Sequence, residues 1–227
     1  MKTLLLWDID GTLLASGGAG LRALEVALKQ VFGIDGSVLD LDWAGRTDRF
    51  IIAQVFEKYG IGATEEAFNR LVDGYADALP AELARSASVL PGVLELLQAA
   101  DARADIIQGL LTGNLRRGAQ IKLGHHGLWD FFAFGAFADD SPVRNELGPH
   151  AVRRAAEHAN HLFQADRVWI IGDTPHDIAC GRAIGANTLA LPTGHHSADE
   201  LAAHQPTAML RDLTDAAAFW RLIDRQA

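Results

Sequence analysis

Read for its apolar and polar positions, the chain opens on a short greasy run, Leu4-Leu5-Leu6-Trp7, that stops at two acids, Asp8 and Asp10. An apolar run of this length, ended by turn residues, predicts a buried strand. Ser16-Gly17-Gly18-Ala19-Gly20 follows as a flexible stretch suited to a hinge. Three helical patterns come next: Leu21, Leu24, Leu28 and Val31; Ile51, Ile52, Val55, Phe56 and Tyr59; Phe68, Leu71, Val72 and Tyr75. No strand pattern interrupts them. From about residue 88 the rhythm changes to alternation. Pro91 opens a helix, 105–111 reads as a buried strand, and 115–125 as a helix. Phe131 to Phe137 is a strand candidate, 149–158 a helix, 168–171 a strand, 176–184 a helix closed by Gly185, and 188–191 a strand.

Alternating strands and helices predict a parallel sheet with helices on both faces. The expected fold is α/β, a Rossmann-like doubly wound parallel sheet with an inserted all-helical cap. The core takes residues 1–15 and 88–227, and the cap residues 16–87. Such a sheet binds its ligands outside the carboxyl ends of its strands.

Composition narrows the chemistry. The 227 residues are 49% hydrophobic and 22% charged, an ordinary globular balance, and the net charge is −9. That charge, with Arg116-Arg117 and Arg153-Arg154 as isolated basic pairs, argues against nucleic acid or an anionic membrane as partner. The first apolar run is too short for a signal-peptide core, and no stretch approaches a membrane span. Cys180 is the single cysteine, which excludes an intrachain disulfide, fits a reducing cytoplasm and reads as a small buried helix residue.

The expected strand exits carry polar residues. Asp8 and Asp10 follow the first strand; carboxylates so close repel each other and lose hydration on burial, so a cation, a shared proton or free exposure must compensate. A calcium loop is excluded, because Thr12, Leu13 and Ala19 stand where it needs an acid, a glycine and a glutamate. Thr112-Gly113-Asn114 follows another strand, where a hydroxyl, a close-approach glycine and a helix start suit an anion. A third exit reads Gly172-Asp173-Thr174-Pro175-His176-Asp177, where Asp173 or Thr174 can cap a helix.

In this order, DIDGTL, LTGN and IGDTPHDIACG, with LPGVLELL as the return from the cap, resemble the haloacid dehalogenase-like superfamily. The likeness is to phosphatases with a helical cap, the phosphoglycolate phosphatase and β-phosphoglucomutase group. The resemblance implies hydrolysis of a small phosphorylated metabolite in two steps. Asp8 is the nucleophile and Asp10 the acid, then base. By the same resemblance, magnesium would be held by Asp8, Asp10 (through its carbonyl), Asp173 and Asp177. A protonated Asp10 beside an ionised Asp8 would relieve their repulsion. Phosphate is bound by Thr112, Gly113, Asn114 and a cation. Where the family usually has Lys the sequence has Arg144, with Lys122 as the alternative. Arg46, in Gly45-Arg46-Thr47-Asp48, is a candidate substrate contact from the cap. The pairs His125-His126 and His195-His196 read as loop histidines. Mutase and dehalogenase activities are the alternatives within the superfamily. A dinucleotide site at Gly18-Ala19-Gly20-Leu21-Arg22-Ala23 is disfavoured because Asp8 to Gly17 separate it from the first strand.

Overall fold

The computed structural model describes residues 2–224. Its central sheet is six-stranded and parallel, in the order β5-β4-β1-β6-β7-β8. The strands are β1 (Thr3–Trp7), β4 (Ile106–Leu111), β5 (Gly135–Ala136), β6 (Val168–Gly172), β7 (Asn187–Ala190) and β8 (Ala208–Met209). β1 is central and wholly buried, and its side chains alternate between two cores as the pleat requires. Leu5 and Trp7 pack with Leu96 and Leu97 of α4 (Val93–Asp101) and Ala119 and Leu123 of α5 (Arg116–His125). Leu4 and Leu6 pack with Leu147, Ala151 and Ala155 of α6 (Leu147–Ala159) and Cys180 of α7 (Pro175–Ala183). Burial on both faces is why these strands read as unbroken apolar runs.

The helical insert is α1 (Ala19–Phe32), α2 (Asp48–Tyr59) and α3 (Glu65–Ser86), leaving the sheet through β2 (Leu14–Ala15) and returning through β3 (Ser88–Val89). β2 and β3 form a small antiparallel pair absent from the sequence reading, since two-residue strands carry no periodicity. The helices start and stop where local chemistry dictates. The Thr47 hydroxyl accepts from the Phe50 N–H, that of Thr64 from Ala67, and Gly33 and Gly60 close α1 and α2 in the left-handed conformation. Leu24, Leu28, Val55, Phe56, Leu71 and Leu79 give the insert its own core, which also takes in Leu115 and Ala138 from the loops beyond β4 and β5.

Two expectations need correction. Phe131 to Phe137 is not one strand: 129–131 form a 3-10 turn and only Gly135–Ala136 pair. The apolar residues there serve packing around a turn, with Trp129 tilted against Phe137 at 6.5 Å. His125 and His126 close α5 instead of lying in a loop. Beyond residue 191 the chain adds α8 (Ala198–Ala203), β8 and α9 (Ala216–Asp224), whose Phe219 stacks on Trp7 at 5.7 Å. Among the described residues no helix is long and apolar enough to cross a membrane.

Candidate active site

Register brings the strand exits together. Trp7 pairs with Leu110 on one side and Ile171 on the other, so Asp8, Thr112 and Asp173 emerge beside one another. The Asp8 N–H donates to the Ile171 carbonyl at 3.0 Å, and that of Thr112 to Ala136 at 3.1 Å.

The carboxylates of Asp8, Asp173 and Asp177 are buried, with one oxygen of each inside 4.8 Å of the others. Asp177 closes a capping box at the start of α7, its Oδ2 accepting from the Thr174 N–H at 3.0 Å and hydroxyl at 2.7 Å. Arg144, also buried, lies among them: its Nη2 is 3.1 Å from Asp8 Oδ1 and 2.5 Å from Asp177 Oδ1. Its Nε is buried and donates to no protein atom among the described residues. Burial pushes the Asp8 carboxyl up to about 6; Arg144 opposes the rise, and Asp177 and Asp10 add to it. Asp173 is also raised well above the usual carboxylate range, by burial and then by the charges of Asp8 and Asp177.

Two residues along, Asp10 meets the opposite surroundings. Burial works to raise its pKa, but three donors outweigh it and hold the carboxyl below its usual range. Lys122 Nζ lies 2.6 Å from Oδ2, Asn114 Nδ2 2.8 Å from the same oxygen, and the Ser16 hydroxyl 2.6 Å from Oδ1. These donors favour the ionised form of Asp10, whereas the resemblance implied a protonated Asp10. Lys122 was the alternative phosphate cation; it lies against Asp10 and the Asn114 side chain (2.6 Å), whereas Arg144 faces Asp8.

The Thr112-Gly113-Asn114 turn also differs from expectation. The N–H groups that open α5 are taken by acids: Leu115 donates to Asp48 at 2.7 Å and Arg116 to Asp139 at 2.6 Å. Protein carboxylates thus occupy the anion-favouring helix start. Asn114 turns its amide to Asp10 and to the Thr112 hydroxyl, and its N–H also meets that hydroxyl at 3.3 Å. Among the described residues, the Gly113 N–H and the Thr112 hydroxyl donate to no acceptor.

A loop of the insert, residues 43–48, lies across these exits. Arg144 Nη1 donates to the Gly45 carbonyl at 3.2 Å, the Thr47 hydroxyl to Pro142 at 2.6 Å, and the Asp48 N–H to Gly113 at 2.7 Å. Trp43 meets His195 edge-on at 4.7 Å. Arg46 does not extend a free cation: it pairs with Asp42 at 2.5 Å and stacks on Phe50, while its carbonyl abuts Gly113. Trp43 was not singled out in the sequence, and Ser16, Thr47 and Asp48 were read there only as hinge or loop positions. A threonine ahead of an acid and a helical pattern is an N-cap signal that marks Thr47; the others carry none.

The donor set suits a hard divalent cation. Three buried carboxylates supply oxygen ligands, burial and like charge raise Asp8 and Asp173 in a way that a cation relieves, and the backbone crowds the Asp173 carboxylate closely. A Cβ at Gly194 would lie 1.7 Å from Asp173 Oδ2, and one at Gly11 2.3 Å. The glycine run proposed for a dinucleotide lies beyond β2 at the start of α1, with Gly18 as its N-cap.

The chain is similar to known proteins in sequence and in fold. The haloacid dehalogenase-like hydrolase pattern matches residues 5–182. A phosphoglycolate phosphatase of Rhodospirillum rubrum is 29% identical over 206 residues, 86% of this chain and 81% of the relative. Among solved structures, CbbY from Rhodobacter sphaeroides in complex with phosphate superposes with a TM-score of 0.75 at 17% identity, covering 95% of this chain and 96% of that one. A hydrolase from Pseudomonas syringae gives 0.72 at 22% identity, covering 98% and 99%. With the pattern spanning most of the chain and its acids gathered at adjoining strand exits, the protein belongs to the haloacid dehalogenase-like hydrolase family.

Proposed function

We propose that the protein is a magnesium-dependent phosphatase that hydrolyses a small phosphomonoester through an aspartyl-phosphate on Asp8, of the phosphoglycolate phosphatase type. The observation that carries this is the buried Asp8 carboxylate, 3.1 Å from Arg144 and clustered with Asp173 and Asp177. The relative from Rhodospirillum rubrum points the same way by its name. Residues 16–87 serve as a cap over a core of 1–15 and 88–227. The single cysteine suits a reducing cytoplasm.

Asp8, Asp173, Asp177 and the Asp10 carbonyl would hold the metal, which when bound supplies charge neutralisation for carboxylates and phosphate. Asp8 attacks phosphorus, and its bond forms as the bond to the leaving alkoxide breaks. Asp10, protonated at that stage, gives its proton to the alkoxide. Now a carboxylate, it takes a proton from water as water attacks the aspartyl-phosphate, releasing inorganic phosphate and restoring Asp8. The donors around Asp10 favour its carboxylate, the form that takes the proton from water in the second half of that cycle. Arg144, the Gly113 N–H and the Thr112 hydroxyl oppose charge on the phosphoryl oxygens. Charge is met there by fixed donors, so little reorganisation is needed.

A panel of phosphomonoesters assayed with and without magnesium, ranked by kcat/KM, tests this reading. Metal-dependent release of inorganic phosphate is expected, with small phosphorylated acids among the best substrates. Failure to hydrolyse any phosphomonoester in the presence of the metal ends it.

A further inference from the structure

Lys122 is buried, yet no phosphate-binding role falls to it, because Arg144 already stands beside the nucleophile. Its ammonium bridges Asp10 Oδ2 and Asn114 Oδ1, 2.6 Å from each. The same amide of Asn114 donates to Asp10 at 2.8 Å, so the three side chains close a ring of hydrogen bonds. The opposite wall belongs to the insert. A Cβ at Gly20, in the first turn of α1, would lie 3.5 Å from Nζ and 3.6 Å from the Tyr75 hydroxyl of α3. Asp48, at the start of α2, shares the same electrostatic surroundings. Lys122 thus faces α1 and Tyr75 of α3, with the charge of Asp48 also acting on it, while gripping a core carboxylate.

We propose that Lys122 is a positioning residue: it fixes the Asp10 carboxylate toward the reacting groups and ties that orientation to the docking of the helical insert. This rests on the phosphatase reading and extends it to a residue outside the nucleophile and phosphate contacts. An ammonium holding one oxygen, with Ser16 holding the other at 2.6 Å, leaves the carboxylate little freedom to rotate away. Without Lys122 the carboxylate keeps Ser16 and Asn114 as partners but loses its counter-charge and the insert-facing side of its cage. Substrate phosphate, held elsewhere, should bind as before.

The test compares Lys122→Met, Lys122→Gln and Lys122→Arg with the wild type, in magnesium, on an alkyl phosphate and on p-nitrophenyl phosphate. On the alkyl ester, Met and Gln should lower kcat by about 10²-fold, within the range of general acid–base assistance. KM should stay within about twofold, the signature of a loss felt only in the transition state. Arg should recover part of kcat. On p-nitrophenyl phosphate, whose leaving group needs no proton, the Met variant should release a burst of about one equivalent of nitrophenolate, then turn over slowly as hydrolysis of the intermediate lags. A rise in KM of about tenfold with kcat unchanged would make Lys122 a substrate-phosphate ligand and overturn the proposal. So would a kcat within about threefold of wild type in a folded Met or Gln variant. If Met does not fold, Gln and Arg carry the comparison. Wild-type enzyme inert on both esters would refute the phosphatase reading instead.

Discussion

Asp8 and Asp10 are two residues apart in one turn, and their surroundings drive them in opposite directions. Around Asp8 stand two more buried carboxylates and one arginine, so burial and like charge prevail and the carboxyl rises to about 6. Around Asp10 stand an ammonium, an amide and a hydroxyl, and these donors prevail over burial. The lesson is that the type of residue does not set its protonation state; the balance of donors and carboxylates within about 4 Å does. Separate environments for neighbouring acids are also how one turn can hold both a nucleophile and a proton-transfer group.

The sharpest way to break this comparison is to remove Asp8, the proposed nucleophile. Asp8→Asn should fold but lose turnover almost wholly, because an amide does not attack phosphorus. Its melting temperature without metal should exceed that of the wild type above about pH 6 and converge on it towards pH 4. The sign follows from the raised pKa: the fold favours neutral Asp8, so the wild type loses stability as pH rises through about 6. Turnover near the wild-type level would end the assignment.

Asp10→Asn should cost about 10²–10⁴-fold in kcat on an alkyl phosphate. With an activated ester it should accumulate one phosphoryl group, seen by intact mass, whereas Asp8→Asn should accumulate none. A phosphoryl group on both variants, or on another residue, would dissolve the division of labour between the two acids.

Arg144→Ala should lower kcat/KM by about 2–4 kcal/mol, the scale of one preorganised donor, with Lys restoring part of it. Should Arg144→Ala remain active while Lys122→Ala fails by a loss of substrate binding, the two cations exchange roles.

A smaller effect concerns magnesium itself. The metal needs the raised carboxylates ionised, so the rise in melting temperature on adding it should be larger at pH 7.5 than at pH 5.5. Equal shifts at both pH values would place the metal elsewhere.

Much of this arrangement is legible in the chain. β1, β4 and β6 announce themselves because a strand covered on both faces is apolar at nearly every position, and the residues after each run gather at the candidate site. The pairing of Asp10 with Lys122, 112 residues apart, leaves no trace in spacing or pattern. Neither does the clasp of Asp48 on Leu115, nor Trp43 against His195, since each depends on how the insert returns over the sheet. The pairing of the loop cation Arg46 with Asp42, four residues before it, is likewise unmarked in the sequence. The last strand, β8, is two residues long and too short for periodicity to mark.

The crowding at Gly113 and Gly194 bears on how the gene tolerates change. A methyl group at Gly194 would sit 1.7 Å from Asp173, and one at Gly113 2.2 Å from the Arg46 carbonyl. Each would meet a group that the site holds in place, with no room to yield. A scan of single substitutions scored by activity would therefore rank these two positions with the aspartates, although neither has a side chain to offer the reaction. Inherited variation should be as sparse there as at Asp8, because selection acts on the volume left empty.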